Sequence, residues 1–138
     1  MGSFEADAEA IGEMLACAGE RGADPADAFW SGYFGRHSGA EGRMAHMDEH
    51  MRGRMLASVY DLLMISDAED ERRFLDFEIG NHDAYGAEQS MYDALFESLG
   101  EALEAACGDA WQGAWTEAWE RRTERLRGVI AEVTRKPA

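Results

Sequence analysis

The stretch Ile79-Gly80-Asn81-His82-Asp83-Ala84-Tyr85-Gly86-Ala87 decides how this chain is read. Ahead of it, Phe74, Leu75, Phe77 and Ile79 follow a helical period, and Gly86 breaks that helix. His82 therefore stands in the last turn of an amphipathic helix, and Tyr92 follows ten residues later. A helix C-terminus favours positive charge on an imidazole. A metal ligand must instead stay unprotonated at one ring nitrogen and donate from the other to a carbonyl or hydroxyl. The stretch thus offers a one-histidine metal centre with a polar group close by to orient the ring.

The rest of the chain keeps the same period. A first helix is expected from about Ser3 to Cys17, with Ile11, Met14 and Leu15 on one side and Gly19 and Gly22 ending it. Asp24-Pro25 opens a second helix carrying Phe29, Trp30, Tyr33 and Phe34, which fades at His37-Ser38-Gly39. A glycine-rich loop, Gly39 to Gly42, leads into a long helix from about Met44 to Ile65. Ser66-Asp67-Ala68-Glu69 reads as a capping box opening the helix that finishes near His82. A further helix spans about Glu88 to Cys107, with Met91, Leu95, Phe96, Leu99 and Leu103 as its stripe. Asp109-Ala110-Trp111-Gln112 caps the last one, striped by Trp115, Trp119, Leu126, Ile130 and Val133. No strand-like alternation is sustained, and the expectation is one all-α domain over residues 1–138 with six to eight helices. Unequal helix lengths argue against a regular four-helix bundle.

A net charge of -15 argues against DNA, RNA or an anionic membrane as partner, since phosphates would be repelled. Cys17 and Cys107 lie in helical patterns beside alanines and form no CxxC pair, so small buried thiols in a reducing compartment are expected. The first twenty residues carry acids where a signal peptide needs an apolar run, and no stretch reaches the ~20 apolar residues of a membrane span. These points predict a cytoplasmic protein.

His82, Tyr85, Gly86 and Ala87, then Tyr92, then Ala118-Trp119 keep their mutual spacings without a gap. This run resembles the proximal segment of the globins, and is most similar to the single-domain bacterial haemoglobins and the globin part of flavohaemoglobins. The resemblance implies a globin fold, haem b as cofactor, His82 as the axial iron ligand and Tyr92 as the residue that contacts or orients it. In that family a glutamate on the last helix completes a network with the histidine and tyrosine. The same register puts Thr134 at that position, with Glu132 pointing elsewhere on the helix.

The family lays another helix over the opposite haem face, about thirty residues upstream, which corresponds to the Met44–Ile65 segment. Two registers stay open. His50, at 82 − 50 = 32 positions upstream, matches the bacterial spacing to the distal residue but puts Arg54 over the haem. A bare guanidinium there is costly unless a propionate or ligand pairs with it. Aligning Gly53-Arg54 with the family's Gly-Arg makes Arg52 distal and sets Leu56 over the iron. Trp30 stands where the family has a distal tyrosine; its indole can donate a hydrogen bond but is bulkier. Ser38 stands near a proline position, and Met44 is the nearest apolar substitute for the phenylalanine that normally wedges against the haem. Phe77, Met47, Met51, Met91 and Phe96 are the further candidates for haem contact.

The implied function is reversible binding of a diatomic gas ligand, O2, NO or CO, at histidine-ligated iron. One alternative is a haem-dependent oxidation such as nitric oxide dioxygenation, which needs a separate reductase. Another is a non-haem globin acting as a sensory or interaction domain. His46-Met47-Asp48-Glu49-His50 also matches the His-x-x-Glu-His pattern of inverted zinc proteases, but five residues without a third ligand are weak support. Met44, Met47, Met51 and Met55 make a stripe that soft metals such as Cu(I) favour and that more simply reads as a soft packing face. The charge run Asp67 to Arg73 reads as a solvated helix start, and Trp111, Trp115 and Trp119 as a core stripe with Trp111 nearest the surface.

Overall fold

The computed structural model describes residues 4–45, 47–83 and 89–134, and at 38, 43 and 79–83 it describes the backbone alone. The described residues form seven α-helices and no strand: α1 Phe4–Glu20, α2 Ala26–Arg36, α3 Ser38–Arg43, α4 Glu49–Met64, α5 Ala68–Asp83, α6 Gln89–Cys107 and α7 Gly113–Thr134. A 3-10 turn, Gly108–Ala110, joins α6 to α7. None of the described helices is long and apolar enough to cross a membrane.

Local chemistry sets most boundaries. Gly22 has φ +66°, and the Ala23 N–H reaches back to the Ala18 carbonyl at 3.1 Å, closing α1 in a left-handed turn that glycine adopts without strain. Asp24 Oδ1 accepts from the Ala26 N–H at 2.9 Å and starts α2. Asp48 accepts from the Met51 N–H at 2.8 Å and caps α4. That cap revises the expectation of one long helix from Met44 and a glycine loop before it: Gly39–Gly42 lies inside α3, and α4 opens only at Glu49. The four methionines thus do not share one helix, which dissolves the expected stripe. At α5 the cap is Asp67, accepting from the Asp70 N–H at 2.9 Å, one residue past the expected Ser66.

The apolar stripes bury as their spacing predicts. Ile11 and Met14 of α1, Leu99 and Leu103 of α6, and Leu126 and Ile130 of α7 are all at most 1% exposed and meet in one core. α6 lies against α1, α2 and α7, while α7 also packs on α1 and α5; α4 rests on α1. Asp7, nearly buried on α1, takes a forked pair of hydrogen bonds from Arg121 of α7, at 3.2 Å from Nε to Oδ2 and 3.0 Å from Nη2 to Oδ1.

The deepest polar group is Arg122 of α7, 1% exposed. Its Nε donates to the Leu63 carbonyl at 3.0 Å, and its Nη2 to the Leu62 carbonyl at 2.9 Å and the Ile65 carbonyl at 3.4 Å. Those are carbonyls of the last turn and C-cap of α4; that of Leu62 also accepts the Ile65 N–H at 3.2 Å. Nη1 donates to Glu71 Oε2, and Glu71 Oε1 accepts from Arg125 Nε at 3.1 Å. The Phe4 ring covers both guanidiniums, its centroid 4.7 Å from Arg122 Cζ and 4.3 Å from Arg125 Cζ. Burial pulls the Arg122 pKa down, against the opposing pull of the Glu71 hydrogen bond. Glu71 itself is 1% exposed, so the charge run Asp67 to Arg73 is not solvated throughout: its fifth residue faces inward and holds a cation.

Removing one member of a buried pair strands the other. Arg122→Met is therefore expected to lower unfolding free energy by about 3–5 kcal/mol in urea melts, whereas Glu71→Leu combined with Arg122→Met costs less than the single change. A single variant within about 1 kcal/mol of wild type would show that the cluster is dispensable.

Candidate functional site

α2 presents a ladder of aromatic rings. Phe29 and Trp30 meet edge to face at 4.8 Å between centroids, Phe29 stacks on Tyr33 at 5.8 Å, and Trp30 tilts against Phe34 at 5.6 Å. Phe29, Trp30 and Tyr33 are buried, with α2 lying along α6. Burial pushes the Tyr33 phenol up to about 12.

The Trp30–Phe34 edge of the ladder meets α4 through Arg52. Its Cζ lies 5.7 Å from the Trp30 centroid and 5.1 Å from that of Phe34, a cation–π contact with both rings. Arg52 Nε is shielded from water and has no hydrogen-bond partner among the described residues, none of which brings a carboxylate within ion-pair distance. A guanidinium N–H in that state costs free energy unless an acceptor is supplied. The site therefore has a built-in donor for an anion or other acceptor.

Of the two open registers on α4, the structure turns Arg52 rather than His50 toward Trp30. The row facing the core runs Arg52, Met55, Leu56, Val59 and Leu63, at steps of three and four, and His50 falls two residues off it on the exposed side. Met51 is 40% exposed. Phe77, at 73% exposure, lies two residues past buried Leu75, on the far side of α5. Met91 is buried and Met47 half-buried. Phe96 is buried against α7, its ring centroid 6.0 Å from Arg127 Cζ and its carbonyl accepting the Trp119 indole at 3.2 Å. Tyr92 is half-buried against the core. The side chain of His82 lies outside the described residues, as do Tyr85, Gly86, Ala87 and His46; the backbone of His82 is in the last turn of α5.

One further residue joins this end of the molecule. His37, between α2 and α3, places Nε2 3.0 Å from Ser90 Oγ at the start of α6, and its Nδ1 is buried without a partner among the described residues. The sequence offered little sign of it, because His37 falls where the second helix was expected only to fade. Among the described residues no group of three or more His, Cys, Asp or Glu is arranged to hold a metal ion. Elsewhere lie a charged cleft of about 710 Å³ between α6 and α7 around Gly100 and Trp119, and an apolar one of about 520 Å³ between α1 and α4 around Leu15, Leu56 and Tyr60.

Compared with models of protein families, with curated proteins and with solved structures, the chain finds no match.

The raised Tyr33 pKa has a consequence for stability. The neutral phenol is favoured in the fold, so its contribution is complete below the ordinary pKa near 10 and is lost as pH climbs toward about 12. Urea midpoints are expected to fall over that interval by the equivalent of about 2 kcal/mol, and Tyr33→Phe should flatten the decline. An unchanged slope in the variant would show that Tyr33 does not carry it.

Proposed function

We propose that this chain is a globin-type haem protein that holds haem b through His82 and reversibly binds a diatomic ligand, O2, NO or CO, at the iron. The observation that carries the reading is how the His82–Trp119 run falls on the helices. Position 82 is in the last turn of α5, Tyr92 in the first turn of α6, and Ala118 and Trp119 on the buried face of α7. Position 82 also follows Glu71 by 82 − 71 = 11 and Leu75 by 82 − 75 = 7, so its backbone shares a helical row with the residues α5 buries.

The donor set suits the group. Haem asks for one axial nitrogen, an apolar wall and a cation for its carboxylates or for a bound ligand. His82 would hold the iron and Tyr92 would orient the imidazole. Trp30 and Leu56 would wall the distal side, and Arg52, with no carboxylate partner among the described residues, would meet a propionate or the ligand. Bound haem supplies an iron with an open position for a small neutral molecule.

The oxidation reading draws less support. Thr134, at the position where the family's glutamate would strengthen the histidine as a donor, is exposed, and its hydroxyl donates to the Ala131 carbonyl at 3.1 Å. Of the family's two partners for the histidine, only Tyr92 would then be left to strengthen it as a donor. A cytoplasmic location belongs to the same proposal.

His82→Gly tests the assignment. Wild type titrated with haemin and reduced under CO is expected to give a stable six-coordinate spectrum; the variant should lose it and regain it with added imidazole, which replaces the missing ligand. A variant spectrum equal to that of wild type without imidazole would place the iron on another residue.

A further inference from the structure

The only two cysteines of the chain lie ninety residues apart, yet they meet where α1 packs on α6. Cys107, the last residue of α6, is fully buried; its Sγ donates to the Met14 carbonyl at 3.5 Å, one helical turn before Cys17, and the Cys17 thiol is near enough to raise its pKa. Cys17 is half-buried and therefore reachable from solvent. A cation completes the group. Arg21, one turn after Cys17, lays its guanidinium over Gly108, so that a Cβ at 108 would stand 3.1 Å from Nη2. The chain leaves α6 there through Gly108 at φ +54°, a conformation glycine accepts freely.

We propose that Cys17 and Cys107 are a reversible modification site, forming an intramolecular disulfide by exchange with a low-molecular-weight disulfide such as oxidised glutathione. The Cys17 thiolate attacks one sulfur of the small disulfide and expels a glutathione thiolate. Cys107, giving up its proton, attacks the Cys17 sulfur of the mixed disulfide and expels the second glutathione. Two protein thiols are oxidised, one small disulfide is reduced to two thiols, and no other oxidant is needed. The order follows from access and acidity. Cys107 has no solvent path, and burial with its Cys17 contact pushes its thiol up to about 11, against the opposing pull of Arg21. It resolves rather than initiates. The product staples the end of α1 to the end of α6 and closes a loop spanning most of the chain. This site is independent of haem, so the two readings fail separately.

The experiment uses the full-length reduced protein at low concentration with oxidised glutathione. The expected product is a monomer lighter by about 2 Da, without titratable thiols in denaturant, with a Tm several degrees higher, and restored by dithiothreitol. Cys107→Ser, with no resolving thiol, is expected to stop at one glutathione on Cys17. Two thiols still titrating in wild type, a persistent single glutathione adduct on it, or a covalent dimer would each overturn the proposal. Should Cys107→Ser fail to fold, Cys17→Ser serves instead. Folded, it should take up no glutathione, and an adduct on its Cys107 would overturn the proposed order.

Discussion

The guanidinium of Arg122 is the contact on which the positions of α4 and α5 depend. It does three jobs from one place: it neutralises the negative end of α4, donates to carbonyls at the end of that helix, and pairs with Glu71 near the start of α5. An arginine can do this because its planar fork points donors in several directions at once. Lysine, a single point of charge, could not reach three carbonyls and a carboxylate together. Phe4 and Arg125 enclose the cluster, so the charge is both paired and shielded.

This anchoring matters for the candidate site because α4 carries Arg52 and α5 carries position 82. α5 packs on α7, and the corner between α4 and α5 is only Ile65, Ser66 and Asp67 long. Once α7 fixes that corner, the outward course of α4 brings Arg52 over Trp30 and Phe34, and the course of α5 carries its backbone to position 82. α2, seated along α6, supplies the aromatic wall. The site is thus set by two anchors, a polar one at the helix corner and an apolar one along α6. A slip in either would move Arg52 off the rings.

Much of the fold was legible in the sequence because helical spacing is a strong signal. The stripes of α6 and α7 buried largely as read, and Asp24 and Gly22 marked ends that the structure uses. The break at Asp48 was missed, since the methionine spacing ran on through it and suggested continuity. Glu71 was missed because it sits among acids that are exposed; the available sign was its place four residues before Leu75 on the inward row. Arg122 had the same sign, standing three after Trp119 and four before Leu126 on the apolar stripe. On the distal side the choice between His50 and Arg52 could not be read from spacing alone, because two residues on a helix differ by more than half a turn of direction. The packing of α4 on its neighbours turns Arg52 toward Trp30 and leaves His50 exposed.

The measurement that bears most directly on the account is the haem content of the protein as purified, by the pyridine haemochrome method, set against chain concentration. One haem per folded chain, in a protein coloured throughout purification, is the predicted result. A colourless protein that is fully helical, unfolds cooperatively and takes up no added haemin would contradict it, and would leave the buried Arg122 cluster as part of a helical fold built for another purpose.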